Sequence, residues 1–103
     1  MEEQAEKRRV ARAPQRFAVT LAPLRGGGAQ AGETVDISSQ GVSVLTPSAW
    51  RVGELVRLLV TGAPSSADAR VARCTPRGDQ HLLGLEFIGA APRWPNARPA
   101  AEP

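Results

Sequence analysis

The sequence lacks several features that define other classes of protein. Its one cysteine, Cys74, excludes a disulfide within the chain and suits a reducing compartment. No apolar run approaches the ~18–20 residues that a membrane-spanning helix requires. The first residues, 1–6, are polar and lead into no apolar stretch, so no secretory signal is expected. These absences predict a soluble cytoplasmic protein.

Aromatic residues are scarce, and residue sets for catalysis are missing. With two Phe, two Trp and no Tyr, the core has to rest on Val, Leu, Ile and Ala. No phosphate-binding loop, zinc pattern or nucleophile–base pair is present. His81 follows a turn without a second ligand residue, and Glu54 and Glu86 form no recognisable acid–base pair. We therefore expect no enzymatic activity, no catalytic residue, no metal and no cofactor.

Lysine is nearly absent from a basic chain: 12 of the 13 basic residues are arginine, and only Lys7 is lysine. A high genomic G+C content explains the arginine total, but not its placement. Six basic residues and no acidic one lie between Lys7 and Arg25. Such a segment favours an anionic partner. Guanidinium suits phosphates and guanine edges because its planar fork donates two parallel hydrogen bonds.

Period-two alternation of apolar and polar residues predicts the fold. It recurs in six short segments, at 16–21, 34–38, 42–45, 55–60, 69–75 and 82–88. No segment shows a helical apolar period. The spacing of strands and turns predicts an all-β fold, a small six-stranded antiparallel barrel whose closure removes exposed edges. Alternation places Phe17, Val35 and Ile37 inward, and Asp36 and Ser38 outward.

The chain divides into three parts by composition. Residues 1–6 are interpreted as a flexible N-terminus, residues 7–89 as the barrel domain with its basic segment, and residues 90–103 as a Pro/Ala-rich tail. The tail holds four of the nine prolines and cannot form a regular helix. Trp50 and Trp94 are expected to anchor loops over the barrel.

Two motifs stand in order on this strand pattern. Arg8 and Arg12 form an Arg-x-x-x-Arg spacing just before the first strand, and Asp36-x-Ser38-x-x-Gly41 follows at a strand end and turn. Arg12 and Asp36 are 24 positions apart. Gly41 is expected to supply a positive-φ turn and a close approach of ligand to backbone.

These motifs, in this order, resemble the PilZ family. The resemblance continues through segments 53–58, 69–73 and 84–87, and so covers about residues 7–89. It implies a split-barrel type of fold that binds the bacterial second messenger cyclic di-GMP on its outer surface. The ligand-binding residues it implies are Arg8, Arg12, Asp36, Ser38 and Gly41, with Arg9 as a helper. Family members often end in a helix packed on the barrel, which the Pro-rich tail cannot supply.

A second Arg-x-x-x-Arg spacing joins Arg12 to Arg16. The family pattern places its last arginine just before an apolar residue and a proline, which Arg12-Ala13-Pro14 matches. Arg16 lies within the first predicted strand and is expected to point to solvent. We therefore prefer Arg8 and Arg12.

The predicted function is that of a receptor or adaptor that binds cyclic di-GMP and signals to an effector protein. One alternative is a PilZ-like protein-interaction domain that works without the nucleotide. Another is a small basic barrel for RNA or single-stranded DNA, but such surfaces interleave aromatic with basic residues. No nucleic-acid polymer is therefore expected as a partner. The chain is expected to be a monomer, with dimerisation around the ligand left open.

Overall fold

The computed structural model of the protein describes residues 13–95, which form seven antiparallel strands and no helix. The strands are β1 (Ala13–Pro14), β2 (Ala18–Pro23), β3 (Gln30–Ile37), β4 (Gly41–Thr46), β5 (Leu55–Val60), β6 (Ser66–Arg77) and β7 (Gln80–Ile88). Within this range no helix is long and apolar enough to cross a membrane.

Strands β2 to β7 close into a barrel. Their order around it is β3-β2-β5-β6-β7-β4, and pairing of β4 with β3 completes the circle. The short strand β1 pairs with the C-terminal end of β3, beyond the point where the pairing of β2 with β3 ends. Closure leaves each long strand with two neighbours and no free edge. The prediction of an all-β, six-stranded antiparallel barrel is confirmed.

Alternating side chains fill the barrel. In β5, Val56, Leu58 and Val60 point inward and are buried, whereas Leu55 and Leu59 are exposed. The buried apolar residues of the barrel are Val19, Leu21, Ile37, Val42, Val44, Val56, Leu58, Val60, Ala67, Ala69, Val71, Leu83 and Leu85. The core is thus almost wholly aliphatic, as the shortage of aromatic residues predicts.

One strand departs from the predicted alternation. The pairing of β3 with β4 shifts register between Thr34 and Asp36. A β-bulge places an extra residue on one strand, so Thr34 and Ile37 are buried while Val35 is only half-buried. The inward placement predicted for Val35 is therefore wrong at this point, and Thr34 takes the core position.

Residues 90–95, the described part of the predicted tail, pack on the barrel. The rings of Trp94 and Phe17 stack with centroids 5.3 Å apart and planes at 20°. The backbone N–H of Arg93 donates to the Ser65 hydroxyl at 2.7 Å, and Pro92 is buried. Trp50 and Trp94 both pack against the core, as expected of loop anchors.

Candidate functional site

Strand β1 brings the start of the described chain beside the second motif. Ala13 pairs with Ile37, and Pro14 pairs with Asp36. Arg8, Arg9 and Arg12 lie outside the described residues, but Arg12 is joined to Ala13 by one peptide bond. The basic segment therefore enters the barrel at the end of β3, next to the Asp36 motif.

The buried hydroxyl of Thr34 fixes the backbone between β1 and β2, where the chain joins the barrel. Between β1 and β2 the chain leaves the ladder at Gln15–Phe17. The Thr34 hydroxyl, fully buried, accepts a hydrogen bond from the Phe17 N–H at 2.8 Å and donates to the Gln15 carbonyl at 2.6 Å. The Thr34 N–H donates in turn to the Phe17 carbonyl at 2.9 Å. Because these bonds satisfy buried backbone groups, they fix the direction in which the chain leaves toward Arg12.

The motif serine closes the turn between β3 and β4. The Ser38 hydroxyl accepts from the N–H groups of Gln40 and Gly41, each at 3.2 Å, and donates to the Gly41 carbonyl at 3.3 Å. The Ser38 N–H also donates to that carbonyl at 2.9 Å, and the Gln40 carbonyl accepts from the Phe87 N–H at 2.9 Å. The turn is thus bonded within itself and to β7, which gives the outer surface a defined shape here.

Close packing against β7, and not a positive φ, explains why residue 41 is glycine. The described glycines with positive φ are Gly26, Gly27, Gly53, Gly62, Gly78 and Gly89. Gly41 is not among them, so the expected positive-φ turn is wrong. A β-carbon on Gly41 would overlap the carbonyl oxygen of Leu85. Its role in the described fold is to let β4 approach the backbone of β7.

The register of the strands aligns four residues across the outer face. Asp36 on β3 pairs with Ser43 on β4, Ser43 with Gly84 on β7, and Gly84 with Arg73 on β6. Their strand neighbours Ile37, Val42, Val44, Leu83 and Leu85 are buried in the core, so alternation directs this row away from the core, although Ser43 itself is buried at 6% exposure. We call Asp36, Ser43, Gly84 and Arg73 the outer row.

Three residues of the outer row, Ser43, Gly84 and Arg73, line a cleft of about 210 Å³, whereas Asp36 does not. The residues that line this cleft are Ser38, Gln40, Gly41, Val42, Ser43, Ala72, Arg73, Gly84, Leu85 and Glu86. A cleft of about 160 Å³, toward the β6–β7 hairpin, shares Ser43, Arg73 and Gly84 with it. The turn of the second motif, Ser38 to Gly41, therefore forms one wall of a surface depression, and Arg73 lies on another strand of it.

A larger cleft of about 630 Å³ lies elsewhere, lined by Leu24, Arg25 and residues 51–55. It shares no residue with the outer-row cleft. Its charged groups include Arg25 and Glu54, which already pair at 3.2 Å. Size alone favours this cleft, but neither motif contributes to it, so we take the outer-row cleft as the candidate site.

Two arginines near the site have clear roles in the described structure. Arg16, of the alternative spacing, is exposed and lies 3.5 Å from Glu33, in agreement with its expected solvent position. Arg70 pairs with Glu86 at 2.8 Å. Arg73 was not anticipated, because its place in the outer row depends on the pairing of β6 with β7, which sequence spacing does not show. Within residues 13–95 no group of three His, Cys, Asp or Glu side chains suits a metal.

Comparison with known families identifies the class of this barrel. The chain matches the PilZ domain model over residues 6–93. No curated protein gave a significant match. The chain belongs to the PilZ domain family, in which barrels of this kind are binding or adaptor domains and generally bind cyclic di-GMP.

Proposed function

We propose that this protein is a cyclic di-GMP receptor. The messenger binds on the outer face of the barrel, between the segment Arg8–Arg12 and the β3–β4 turn. The observation that carries the proposal is the pairing of Ala13 and Pro14 with Ile37 and Asp36. This pairing supports the proposal because it sets the residue that follows Arg12 beside the second motif, although Arg12 and Asp36 are 24 positions apart in the sequence.

Chain geometry lets both motif arginines reach the same ligand. The α-carbon of Arg12 is about 3.8 Å from that of Ala13, across one trans peptide. Arg8 lies four residues further back, within about 14 Å of Arg12 even in an extended chain. Cyclic di-GMP carries two phosphates, and each guanidinium pairs bidentately with phosphate oxygens. Arg9 adds positive charge to the same segment.

The second motif supplies a hydrogen-bond acceptor, whereas the arginine segment supplies donors. The Asp36 carboxylate is half-buried at the pairing point with β1 and accepts hydrogen bonds from guanine N–H groups. Ser38 and Gly41 shape the turn on which the ligand rests, through the bonds of the Ser38 hydroxyl and the close packing of Gly41 on β7. Phosphate and guanine are thus recognised by different motifs that meet at one place.

The receptor acts as an adaptor in the bacterial cytoplasm. Binding orders the arginine segment over the barrel and changes the surface that an effector protein meets. The described residues support this because the entry of that segment is fixed by Thr34 and Phe17, and Phe17 stacks on Trp94. A change at the N-terminal segment is therefore passed to residues 90–95. The effector is a protein partner whose identity follows from pull-down with and without the messenger.

Calorimetric titration of cyclic di-GMP into the purified protein tests the proposal, with GTP as the ligand control. We expect saturable micromolar or tighter binding for cyclic di-GMP and none for GTP. Arg12→Ala should weaken binding at least about tenfold, which corresponds to about 1.4 kcal/mol.

Arg16→Ala is the matched variant, since it removes the same charge from an exposed arginine of the alternative spacing. We expect it to change affinity less than about twofold, because exposed ion pairs contribute little. A folded wild-type protein that shows neither heat nor a thermal shift would contradict the proposal. It would leave a PilZ barrel that serves a partner without the nucleotide.

A further inference from the structure

The cleft of about 630 Å³ lies at the end of the barrel away from both motifs. Leu24 and Arg25, which follow β2, form one side of it, and residues 51–55, which lead into β5, form the other. Both ends of the described chain lie at the other end of the barrel, where β1 pairs with the end of β3 and Trp94 stacks on Phe17. Strand β2, with six residues or about 20 Å of length, separates Phe17 from Leu24. The cleft is therefore remote from the points at which the two terminal segments join the barrel.

Aliphatic side chains make the surface of this cleft apolar. The large apolar side chains that are exposed among residues 13–95 are Leu24, Val52, Leu55, Leu59 and Ile88. The first three of them line the cleft, and Val52 is the most exposed of the set, at 66%. A group of exposed aliphatic residues with polar residues around it is typical of a surface that meets a partner.

Backbone hydrogen bonds hold both sides of the cleft in place. The Leu24 N–H donates to the Leu55 carbonyl at 3.0 Å, which joins one side to the other. The Glu54 N–H donates to the Arg51 carbonyl at 3.0 Å and closes a turn, and the Val71 N–H on β6 donates to the Glu54 carbonyl at 2.9 Å. A partner thus meets a surface that is already formed, which lowers the entropic cost of binding.

One of the two arginines at the cleft is available to a partner. Arg25 pairs with Glu54 at 3.2 Å, and the Glu54 side chain is only 13% exposed. Arg51 is exposed, and its side chain makes no hydrogen bond or ion pair with any residue between 13 and 95. Two arginines against one glutamate leave the lining with one positive charge. The chemistry that complements an unpaired guanidinium beside aliphatic side chains is a carboxylate beside an aliphatic side chain.

We infer that this cleft is a docking site for an acidic segment of a partner protein, which places an aliphatic side chain on the apolar lining and a carboxylate on Arg51. A volume of about 630 Å³ lies within the range of pockets that enclose compact ligands, so the cleft holds a few residues of the partner and not a whole domain. The inference does not rest on the proposed function, because neither motif contributes a residue to the cleft. It gives the barrel a second binding surface, so the messenger and the partner are bound at opposite ends.

Selection from a phage-displayed library of random short peptides tests the inference on the full chain, without cyclic di-GMP. We expect the enriched peptides to carry an aliphatic residue next to Asp or Glu. A fluorescein-labelled peptide of the enriched sequence should show saturable binding by fluorescence anisotropy. In amide NMR the same peptide should shift the signals of Leu24 and Val52 and leave those of the β3–β4 turn unchanged.

Leu24→Ser tests the apolar lining. It should weaken binding of the labelled peptide at least about tenfold, because a leucine that is covered on binding is lost. Leu59→Ser is the matched control, since Leu59 is equally exposed, at 40%, on the outer face of β5 and does not line the cleft. We expect its affinity for the peptide to match wild type within about twofold.

Arg51→Ala tests the charge. It should weaken binding about three- to tenfold at low salt, and the difference from wild type should shrink as salt is added. Arg77→Ala is its control, because Arg77 is also exposed, forms no ion pair with a described residue and does not line the cleft. All four side chains are exposed, so the variants should keep a melting temperature close to that of wild type.

The outcomes separate this inference from the proposed function. A folded protein that enriches no peptide, or only peptides without acidic residues, would overturn the inference. Equal losses in Leu24→Ser and Leu59→Ser would overturn it too, since the peptide would bind elsewhere. A dimer in sedimentation equilibrium that Leu24→Ser abolishes would assign the cleft to a second copy of the chain instead. If the folded protein binds the acidic peptide but not cyclic di-GMP, the proposed function is overturned and this inference stands.

Discussion

The α-carbon of Gly41 lies against the carbonyl oxygen of Leu85 on the neighbouring strand, so closely that a β-carbon would overlap that oxygen. The same turn is tied to β7 by the hydrogen bond from the Phe87 N–H to the Gln40 carbonyl. The glycine that ends the Asp-x-Ser-x-x-Gly motif thus serves barrel closure. A residue of the predicted ligand-binding motif has here a structural reason that the motif alone does not reveal.

Gly41→Ala should therefore destabilise the fold itself. Backbone atoms of β7 must move to admit the methyl group, which costs about 3 kcal/mol. Urea denaturation followed by far-UV circular dichroism measures the loss. Gly28→Ala is the control, because nothing lies within 4 Å of the added carbon and its φ is not positive. It should stay within about 0.5 kcal/mol of wild type. A fully stable Gly41→Ala variant would contradict this assignment.

Thr34→Val should weaken both the fold and ligand binding. The change leaves the Phe17 N–H and the Gln15 carbonyl without their buried partner, at about 1–3 kcal/mol. It also frees the chain that leads to the arginine segment, so affinity for cyclic di-GMP should fall at a temperature where the variant is folded. Denaturation and calorimetry measure the two effects.

Thr46→Val provides the comparison for Thr34→Val. The Thr46 hydroxyl is equally buried and donates to the Ser48 carbonyl at 2.8 Å, at the end of β4 away from Gly41. This variant should lose comparable stability and keep its affinity. If both variants bind the ligand equally well, the Thr34 hydroxyl has no part in presenting the arginines.

Trp94→Ala should destabilise the barrel although Trp94 lies in the Pro-rich segment. It removes the stack on Phe17, and the loss is expected to be about 2 kcal/mol for a half-buried aromatic pair. Trp94→Phe keeps a stacked ring and should lose less than half of that. Thermal denaturation of the three proteins measures the difference. Identical midpoints for Trp94→Ala and wild type would mean that residues 90–95 add nothing to the fold.

The Arg57–Asp68 pair on the outer face of β5 and β6 should give a small pH-dependent contribution. Hydrogen bonding from Arg57, at 2.8 Å, lowers the pKa of Asp68 below its ordinary value. Its stabilisation is therefore present above the unfolded pKa of about 3.9 and is lost as pH falls through the lower folded pKa. The difference in melting temperature between wild type and Asp68→Asn should be seen at pH 6, begin to shrink near pH 4 and vanish only when the pH is below the folded pKa.

Asp79→Asn is the control for that series, since Asp79 is exposed in the β6–β7 turn and forms no ion pair with a described residue. Its melting temperature should follow wild type across the same pH range. Both side chains of the Arg57–Asp68 pair are partly exposed, so added salt should also shrink the effect. A difference that grows as pH falls would contradict the assigned direction.

The sequence predicts the barrel well because alternation is a local property. Val56, Leu58 and Val60 repeat every second residue, and their burial follows without knowledge of the partner strands. The bulge at Val35 does not follow, because it depends on how β3 meets β4. Thr34 has a polar side chain, and no local pattern shows that its buried hydroxyl bonds the Phe17 N–H and the Gln15 carbonyl.

The same distinction applies to the candidate site. Spacing predicts Arg8, Arg12, Asp36, Ser38 and Gly41 as one set, and the register of β1 places Ala13, the residue after Arg12, opposite Ile37 in the second motif. Arg73 joins them only through three successive strand pairings, from β3 to β4, β7 and β6. Contacts built by non-local pairing are those that a single sequence leaves undetermined.

Amide NMR of the labelled protein, titrated with cyclic di-GMP, tests the central claim most directly, because it reports where the messenger binds. The account predicts shifts at the β3–β4 turn, from Asp36 to Ser43, and at Gly84, together with new protection of amides in the arginine segment. Amides that line the larger cleft at Leu24 and Val52 should stay unchanged. Changes confined to that larger cleft, or no changes at saturating ligand, would contradict a messenger site on the outer row.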